Sequence, residues 1–572
     1  MINVSMSVSL ISHVAASLLA LSVVLFIYRR DITPIYGSAP TTYALNSVVL
    51  SASLVPAVLP YSRRNLLAAA FVASLAPLLT YWVAAWTARW DMPIVGPLVT
   101  HLGTIWPLTA LLVSLVPQNS AVVRVLLGLG FCAGAIVLSG VWERVEWLWN
   151  LSATYPFTGL TLALINIWVV SYPKPTPAPK KKKVPPPKTR PYRKLGFFLA
   201  LNGGYLFALR FLASPILPHP LPTPYHHPTF PLIVHSSVQS LTGLIVVGEA
   251  LPPPTYRGGP DADMHSFRYM RADHSLLGGV WVGGKVATLD DVPPQVDSFG
   301  TPLGDSIYST FVLHEAARLV NSTGRIPERA VIIGLGVGIS PIGFGRHGIE
   351  TTLVEIDPAV YEAATLYFGL PEHDQERLFL EDARQWAAKR RANEADPPFD
   401  IIVHDCFSGG GVPEHIFTIE FWEDLKASLH PQGVLVVNFA GSIVSDSSRM
   451  ISQTLLKSFG HCRAFTDAQH TITEAEYETE LLNLVFFCTP HDAPLTFRKA
   501  RRADYLDSYL RRGILSTLPE REVRFDLLTG ELDDRFIITD EHNLLGKLQD
   551  NLGHHHWQLM RQVLTDVFWE TF

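Results

Sequence analysis

The sequence is poor in cysteine and, over its first 200 residues, in acid. Its four cysteines, Cys132, Cys406, Cys462 and Cys488, include no CxxC pair. That argues against a disulfide framework and against a thiolate zinc site. No other metal site is expected either, and the run His554–His556 reads as the solvated lead-in to a helix. Residues 1–200 hold 4 acids (Asp31, Asp91, Glu143, Glu146) against 16 Lys and Arg, whereas the remainder holds 47 acids against 29 bases, a net of −18. Such an acidic half would repel phosphates, which excludes nucleic acid as a partner. It suits a small-molecule or amine acceptor.

Long stretches also lack charge altogether. Met6 to Tyr28 carries no Asp, Glu, Lys or Arg and is long enough to cross a bilayer. Basic residues are missing ahead of it and further apolar segments follow, so it reads as a membrane helix rather than a signal peptide. Further spans are expected near Tyr43–Pro60, Leu66–Trp86, Ile94–Val116, Val122–Gly140 and Leu151–Tyr172, with Trp and Tyr near their ends as interfacial anchors. No ionisable residue lies mid-span except histidines such as His13 and His101. Transport usually needs paired charges inside the bundle, so this absence argues against it.

Residues 1–172 are thus expected to be a multi-span α-helical membrane region of about six spans. Residues 173–194 form a Pro-rich linker with nine basic residues and no acid, expected to be extended and cytosolic, beside anionic lipid. Residues 195–217 are apolar but contain Asn202 and Arg210. They either span or lie in the interface, and the side of the membrane taken by the C-terminal half depends on which. Arg29–Arg30 and Arg63–Arg64 flank one predicted span, so topology stays open, and the sequon Asn321-Ser322-Thr323 could report on it.

The C-terminal half is organised around Ala330 to Asp357. Ala330 to Ile333 is a short β-branched run, the mark of a buried parallel strand. Gly334, Gly336 and Gly338 follow at alternate positions and allow a tight turn and close approach of a ligand. A dinucleotide fingerprint needs a third glycine where Ile339 stands. Its absence favours a nucleoside without pyrophosphate, such as S-adenosylmethionine. Thr351 to Val354 is the second strand. Glu355 at its tip can accept hydrogen bonds from both ribose hydroxyls, with Asp357 a weaker second candidate.

Around this lie a β-meander over 230–300, a helix over Phe311–Val320 and an α/β domain over 301–490. Further strands are expected at Arg377–Leu380, ending on Glu381 and Asp382, at Asp400–Val403, ending before Asp405, and at Val434–Asn438. A closing pair is expected at Cys462–Phe465 and Leu484–Cys488. Helices are expected at Ala359–Phe368 and Glu420–Leu429, and in the extension 491–572 near Arg501–Leu510 and Trp557–Phe568. This is a doubly wound, Rossmann-like pattern with ligand groups at the carboxyl ends of strands. An acid at the third strand's end can accept from an adenine amino group. By strand alternation, His404 points away from Asp405 to the opposite face.

Residues from about Leu232 to Cys488 resemble the spermidine synthase-like (polyamine aminopropyltransferase) family, a branch of the AdoMet methyltransferase fold. The carrying residues are Ser240-Leu-Thr-Gly243, His314-Glu315, the glycine turn, Val354-Glu-Ile-Asp357, Glu381-Asp382-Ala383 and Phe399 to Asp405. Multi-span members with a C-terminal synthase-like domain look similar in layout. The resemblance implies a nucleoside site built from Gly334, Gly336, Gly338, Glu355, Asp382 and His314, and a dimer. Three positions depart from the family pattern. Leu313 replaces the family's tyrosine, Val337 replaces the aspartate that holds the aminopropyl amine, and Ser408 replaces the proton-taking aspartate.

A sulfonium donor is already activated, so alignment is the main task, and Asp405 is the remaining catalytic carboxylate. Cys406 has nothing near it to lower its pKa. Methyl transfer from S-adenosylmethionine fits the retained residues best. The alternatives are aminopropyl transfer from decarboxylated S-adenosylmethionine, or a non-catalytic nucleoside-binding membrane protein. The acceptor is not readable.

Overall fold

Stretches that lack charge fold as helices, and the β-branched runs fold as strands. The computed structural model describes residues 8–59, 61–115, 120–171, 192–252, 266–321, 326–393, 396–407, 411–468 and 472–572. Most of the basic linker, Ser322 and Thr323 of the sequon, and Ser408 lie outside the described residues. There are two compact units: Met1–His219 with Trp569–Phe572, and Pro220–Phe568.

In the first unit the opening helix runs Val8–Tyr36, past the end expected at Tyr28. In the added stretch Arg30 donates to the buried Asp31 (Nη2 to Oδ1, 2.7 Å). Arg30 also donates to the carbonyls of Leu148 (3.0 Å) and Trp149 (2.9 Å) at a neighbouring helix end. Among the described residues, Ser38–Val58, Arg63–Ala88, Val95–Ser114, Ala121–Arg144 and Leu195–Leu212 are long and apolar enough to cross a membrane by length and composition. Thr154–Val170 is shorter. Polar groups of this unit pair inside it: the Tyr28 hydroxyl lies 2.7 Å from His101 Nδ1, and Asn65 donates to Ser114 at 3.0 Å. Phe71, Trp86, Val137, Phe207 and Phe211 face outward.

The second unit opens with an antiparallel five-stranded meander: β1 (Tyr225–His226), β2 (Leu232–Ser240), β3 (Gly243–Ala250), β4 (Phe267–Ala272) and β5 (Ser275–Trp281), adjacent in chain order. A hairpin of β6 (Gln295–Val296) and β7 (Pro302–Leu303) follows. The main sheet holds β8 (Arg329–Ile333), β9 (Glu350–Val354), β10 (Leu378–Phe379), β11 (Phe399–His404), β12 (Leu429–Gly441), β13 (His461–Thr466), β14 (Leu482–Thr489) and β15 (Glu522–Val523). Their order is β10-β9-β8-β11-β12-β14-β13-β15. The first five are parallel, and β14, β13 and β15 close the sheet antiparallel. The doubly wound Rossmann-like half is therefore present, with a mixed sheet.

Each parallel strand is apolar on both faces because each face has its own core. Ala330, Ile332, Ile401, Val403, Val434 and Val436 pack on one side. Val331, Ile333, Ile402, Leu435 and Val437 pack on the other. The helices Ile339–Arg346, Pro358–Tyr367, Ala383–Arg391 and Ile419–Ala427 connect the parallel strands. Asp357, Asp382 and Thr418 cap three of these helices by accepting backbone N–H groups, as short polar residues at N-caps do.

Several expectations need correction. Cys462 and Cys488 form a disulfide, because the strand register sets them directly opposite on β13 and β14. The helix expected over Phe311–Val320 is α-helical only at Thr310–His314 and tightens to a 3₁₀ turn over Glu315–Leu319. There Glu315 is buried and receives two hydrogen bonds from Arg511 Nε and one from Nη2. In the tail, Leu506 and Asp507 take positive φ (47° and 61°). They break the expected helix Arg501–Leu510 into a turn at Arg502–Tyr505 and a helix at Tyr509–Ser516. The last long helix spans Leu545–Val563, so His554–His556 lie inside it rather than ahead of it.

Candidate active site

A cavity of about 320 Å³ opens at the carboxyl ends of β8, β9, β10 and β11. Strand order reverses there, with β9 on one side of β8 and β11 on the other. This is the switch point at which open α/β sheets bind ligands. Gly334 and Gly336 line it, at φ +82° and +53°. A Cβ on Gly334 would stand 2.1 Å from the Asp405 carbonyl oxygen, and one on Gly336 would stand 2.7 Å from the Leu277 carbonyl oxygen. The turn is thus wedged between the end of β11 and the meander strand β5, and only glycine fits. Gly338 does not line the cavity. It sits at the N-cap of helix Ile339–Arg346, against Leu370.

Glu355 lines the cavity and is 7% exposed. One carboxylate oxygen accepts the Leu335 N–H and the other the Asp357 N–H, both at 2.9 Å. A carboxylate can accept about four hydrogen bonds, so capacity for hydroxyl donors remains. Burial pushes its pKa up to about 7. Asp357 is fully buried and already engaged. It accepts from Ser240 Oγ (2.5 Å), Thr242 N (2.9 Å), Thr242 Oγ1 (2.7 Å) and Ala359 N (2.9 Å). Its role is to tie the β2–β3 turn to the end of β9.

Asp382 also lines the cavity. One oxygen caps helix Ala383–Arg391 through Arg384 N (3.0 Å) and Gln385 N (3.2 Å), and the other lies 2.9 Å from His415 Nε2. Burial raises its pKa, but the His415 and backbone hydrogen bonds outweigh this and leave it below the usual carboxylate range. Glu381, beside it, pairs with Lys389.

Asp405 lines the cavity where the end of β11 meets the glycine turn. It accepts from Asn438 Nδ2 at 2.8 Å, and its other oxygen is 3.9 Å from His314 Nδ1. His314 is fully buried and does not line the cavity. It lies behind Asp405, within 3.2 Å of Ser340 Oγ, and burial holds it neutral by lowering its pKa. Strand alternation sends His404 the other way, into a cage of Phe417 (4.8 Å between ring centres) and Trp422 (5.0 Å). Burial lowers its pKa to about 3. The Cys406 thiol donates to the Ile333 carbonyl at 3.6 Å, and burial pushes its pKa well up, so no thiolate forms. Leu313 and Val337 are core residues, 0% and 1% exposed.

Polar lining residues that were not anticipated from the sequence include His415, Asn438, Asn483 and His556. His556 is 5% exposed, stands 5.5 Å from the Phe407 ring and has its pKa lowered to about 4 by burial. It corrects the reading of that run as solvated. A signal was present: His556, Leu559, Met560 and Val563 all line the cavity, the i, i+3, i+4, i+7 stripe of one helix face. Nothing in the sequence marks Asn438 or Asn483.

No family model matches the chain. An N-terminal histidine N-methyltransferase of Emericella nidulans is 38% identical over 320 residues, 53% of this chain and 54% of that protein. A polyamine aminopropyltransferase of Vibrio vulnificus is 35% identical over 146 residues, 25% of this chain and 48% of that protein. Among solved structures, human methyltransferase-like protein 13 in complex with SAH aligns at TM-score 0.27 and 24% identity, over 40% of this chain and 95% of that one. The chain spans about half the length of these two curated relatives. Its sequence relatives thus include both spermidine synthase-like aminopropyltransferases and methyltransferases.

Proposed function

We propose that the chain is an S-adenosylmethionine-dependent N-methyltransferase acting on the imidazole of a histidine at a polypeptide N-terminus. The observation that carries this is one cavity lined by the glycine turn, Glu355, Asp405 and Asn438. Val337, where an aminopropyl-holding aspartate would stand, is packed in the core. The N-terminal histidine comes from the 38% identical relative, and the ring nitrogen is assigned because Asp405 can accept the ring's other N–H. The cradle fits the donor: Gly334 and Gly336 admit close approach, and Glu355 has free lone pairs for a ribose. Bound S-adenosylmethionine supplies a methyl group on a sulfonium, which passes to a nitrogen lone pair with release of S-adenosylhomocysteine.

The protein's task is then alignment and charge. A histidine side chain has an ordinary pKa near 6.5, so about half or more of it is neutral above that pH. Asp405 accepts the N–H of one ring nitrogen, which fixes the tautomer and turns the lone pair of the other toward the donor. As the ring becomes cationic, Asp405 stabilises it and takes the proton from its N–H. Asn438 holds the Asp405 carboxylate in place through its 2.8 Å hydrogen bond. Incubating detergent-solubilised protein with a peptide beginning in histidine tests this. S-adenosylmethionine should yield S-adenosylhomocysteine and a peptide heavier by one methyl group. Methylthioadenosine from decarboxylated S-adenosylmethionine with a polyamine would instead assign aminopropyl transfer.

We also propose that the helical unit is a multi-pass membrane region. Supporting this are five apolar helices of spanning length, polar groups paired inside the unit and large apolar side chains turned outward. The basic linker is then cytosolic and helix Tyr192–Leu212 crosses. Residues after His219 would emerge in an oxidising compartment, where the Cys462–Cys488 disulfide persists. Retention in the membrane pellet after alkaline carbonate extraction is the expected result.

A further inference from the structure

The acceptor end of the cavity holds more polarity than imidazole chemistry uses. The register of β12, β14 and β13 sets Ala440 opposite Asn483 and Leu484 opposite Thr466. Asp467, the residue after β13, therefore falls beside Asn483. Its carboxylate accepts from Thr310 Oγ1 (2.5 Å), Ser309 Oγ (3.1 Å) and Asn483 Nδ2 (3.4 Å). Thr310, Asn483 and Tyr308 line the cavity. All three side-chain donors are neutral. Arg521 donates to the Asp467 backbone carbonyl, not to its carboxylate. Asn438 Oδ1, at the same end, is buried without a hydrogen-bond partner among the described residues. Asp405 likewise faces only Asn438 and a neutral histidine. Asp405 thus lines this side of the cavity and Asp467 stands behind its lining residues Thr310 and Asn483, and neither carboxylate has a Lys or Arg side chain in an ion pair among the described residues.

We infer that Asp467, with Asn483 and Thr310, forms a subsite for the α-ammonium group of the acceptor, so that the enzyme reads a free N-terminus and not merely a histidine. The inference rests on the proposed acceptor. An N-terminal histidine carries its ammonium a few bonds from the ring. With the ring held at Asp405 in the cavity that Tyr308 and Phe311 also line, the ammonium is the remaining cation to be neutralised. Acetylation removes that charge, and a histidine at position two places an amide there instead. Asp467 is a specificity residue in this account and takes no part in methyl transfer.

The test compares the full-length solubilised protein and Asp467→Asn on two hexapeptides, one beginning with free histidine and the same peptide N-acetylated. S-adenosylmethionine affinity is measured by calorimetry as a check on the fold. The unmodified protein should favour the free peptide by about 10- to 100-fold in kcat/KM, the range of one charge-assisted hydrogen bond. Asp467→Asn should raise KM for the free peptide by a similar factor while changing kcat less than threefold, so the preference collapses. Asp467→Glu should recover part of it. A preference that survives Asp467→Asn, or an equal loss on both peptides with donor affinity retained, would overturn the subsite alone. If the unmodified protein methylates neither peptide, the acceptor reading falls and takes the subsite with it.

Discussion

Glu355 has to serve two states with opposite needs. Bound donor requires a carboxylate that accepts hydroxyl protons, yet the buried side chain prefers to be neutral, with its pKa raised from 4.5 to about 7. A raised folded-state value means that the protonated form stabilises the fold. That contribution is complete below pH ~4.5 and is lost as pH rises through ~7. At pH 8 the ionised side chain costs on the order of 3 kcal/mol in the donor-free protein. Glu355→Gln should therefore raise the melting temperature more at pH 8 than at pH 5, while weakening S-adenosylmethionine binding by about 10- to 100-fold. Equal thermal shifts at both pH values would contradict the assigned ionisation. The same scale shows what a sequence hides. Glu355 was legible because an acid at a strand tip is a local pattern. The commitments of Asp357 and Asp382 were not, since their partners Ser240, Thr242 and His415 lie 117, 115 and 33 positions away.

At the scale of elements, strand β8 and the glycine turn after it were legible, whereas the helix Ile339–Arg346 that follows was not anticipated. A short apolar run followed by glycines at alternate positions permits few backbone paths, and the structure uses one in which three of those glycines have positive φ. Gly334→Ala forces a side chain against backbone, which cannot move aside as a flexible side chain could. The left-handed conformation alone costs an alanine about 1–2 kcal/mol, and the clash adds to it. We expect a lower melting temperature together with undetectable donor binding by calorimetry. Retained binding would mean that the donor lies elsewhere. Strand β12 was harder to read. It begins at Leu429 and runs through Pro431 and Gly433, residues that signal a turn, and its register shifts against β11 there. Its far end, which carries Asn438 and Ala440, is held by pairing with β14, a contact between segments more than 40 residues apart.

For the whole molecule, cysteine chemistry and sidedness are linked. Denatured but unreduced protein should take up two maleimides, at Cys132 and Cys406, and four after reduction; four in both cases would exclude the disulfide. In sealed microsomes an added protease should cut within 173–194 and leave the Pro220–Phe568 unit intact until detergent is added. Digestion of that unit without detergent would reverse the proposed orientation. The division into a charge-poor helical half and an acidic α/β half was legible from composition alone. The pairing of Cys462 with Cys488 was not, because it depends on strand register.

The knot at Asp357 sets a practical limit on dissecting this chain. A recombinant piece cut at residue 301 would strip that carboxylate of its three bonds to Ser240 and Thr242. It would also remove the Leu277 backbone from beneath the glycine turn. Such a piece keeps every residue that a motif search would choose and loses the surface those residues rest on, so expression boundaries belong ahead of Leu232.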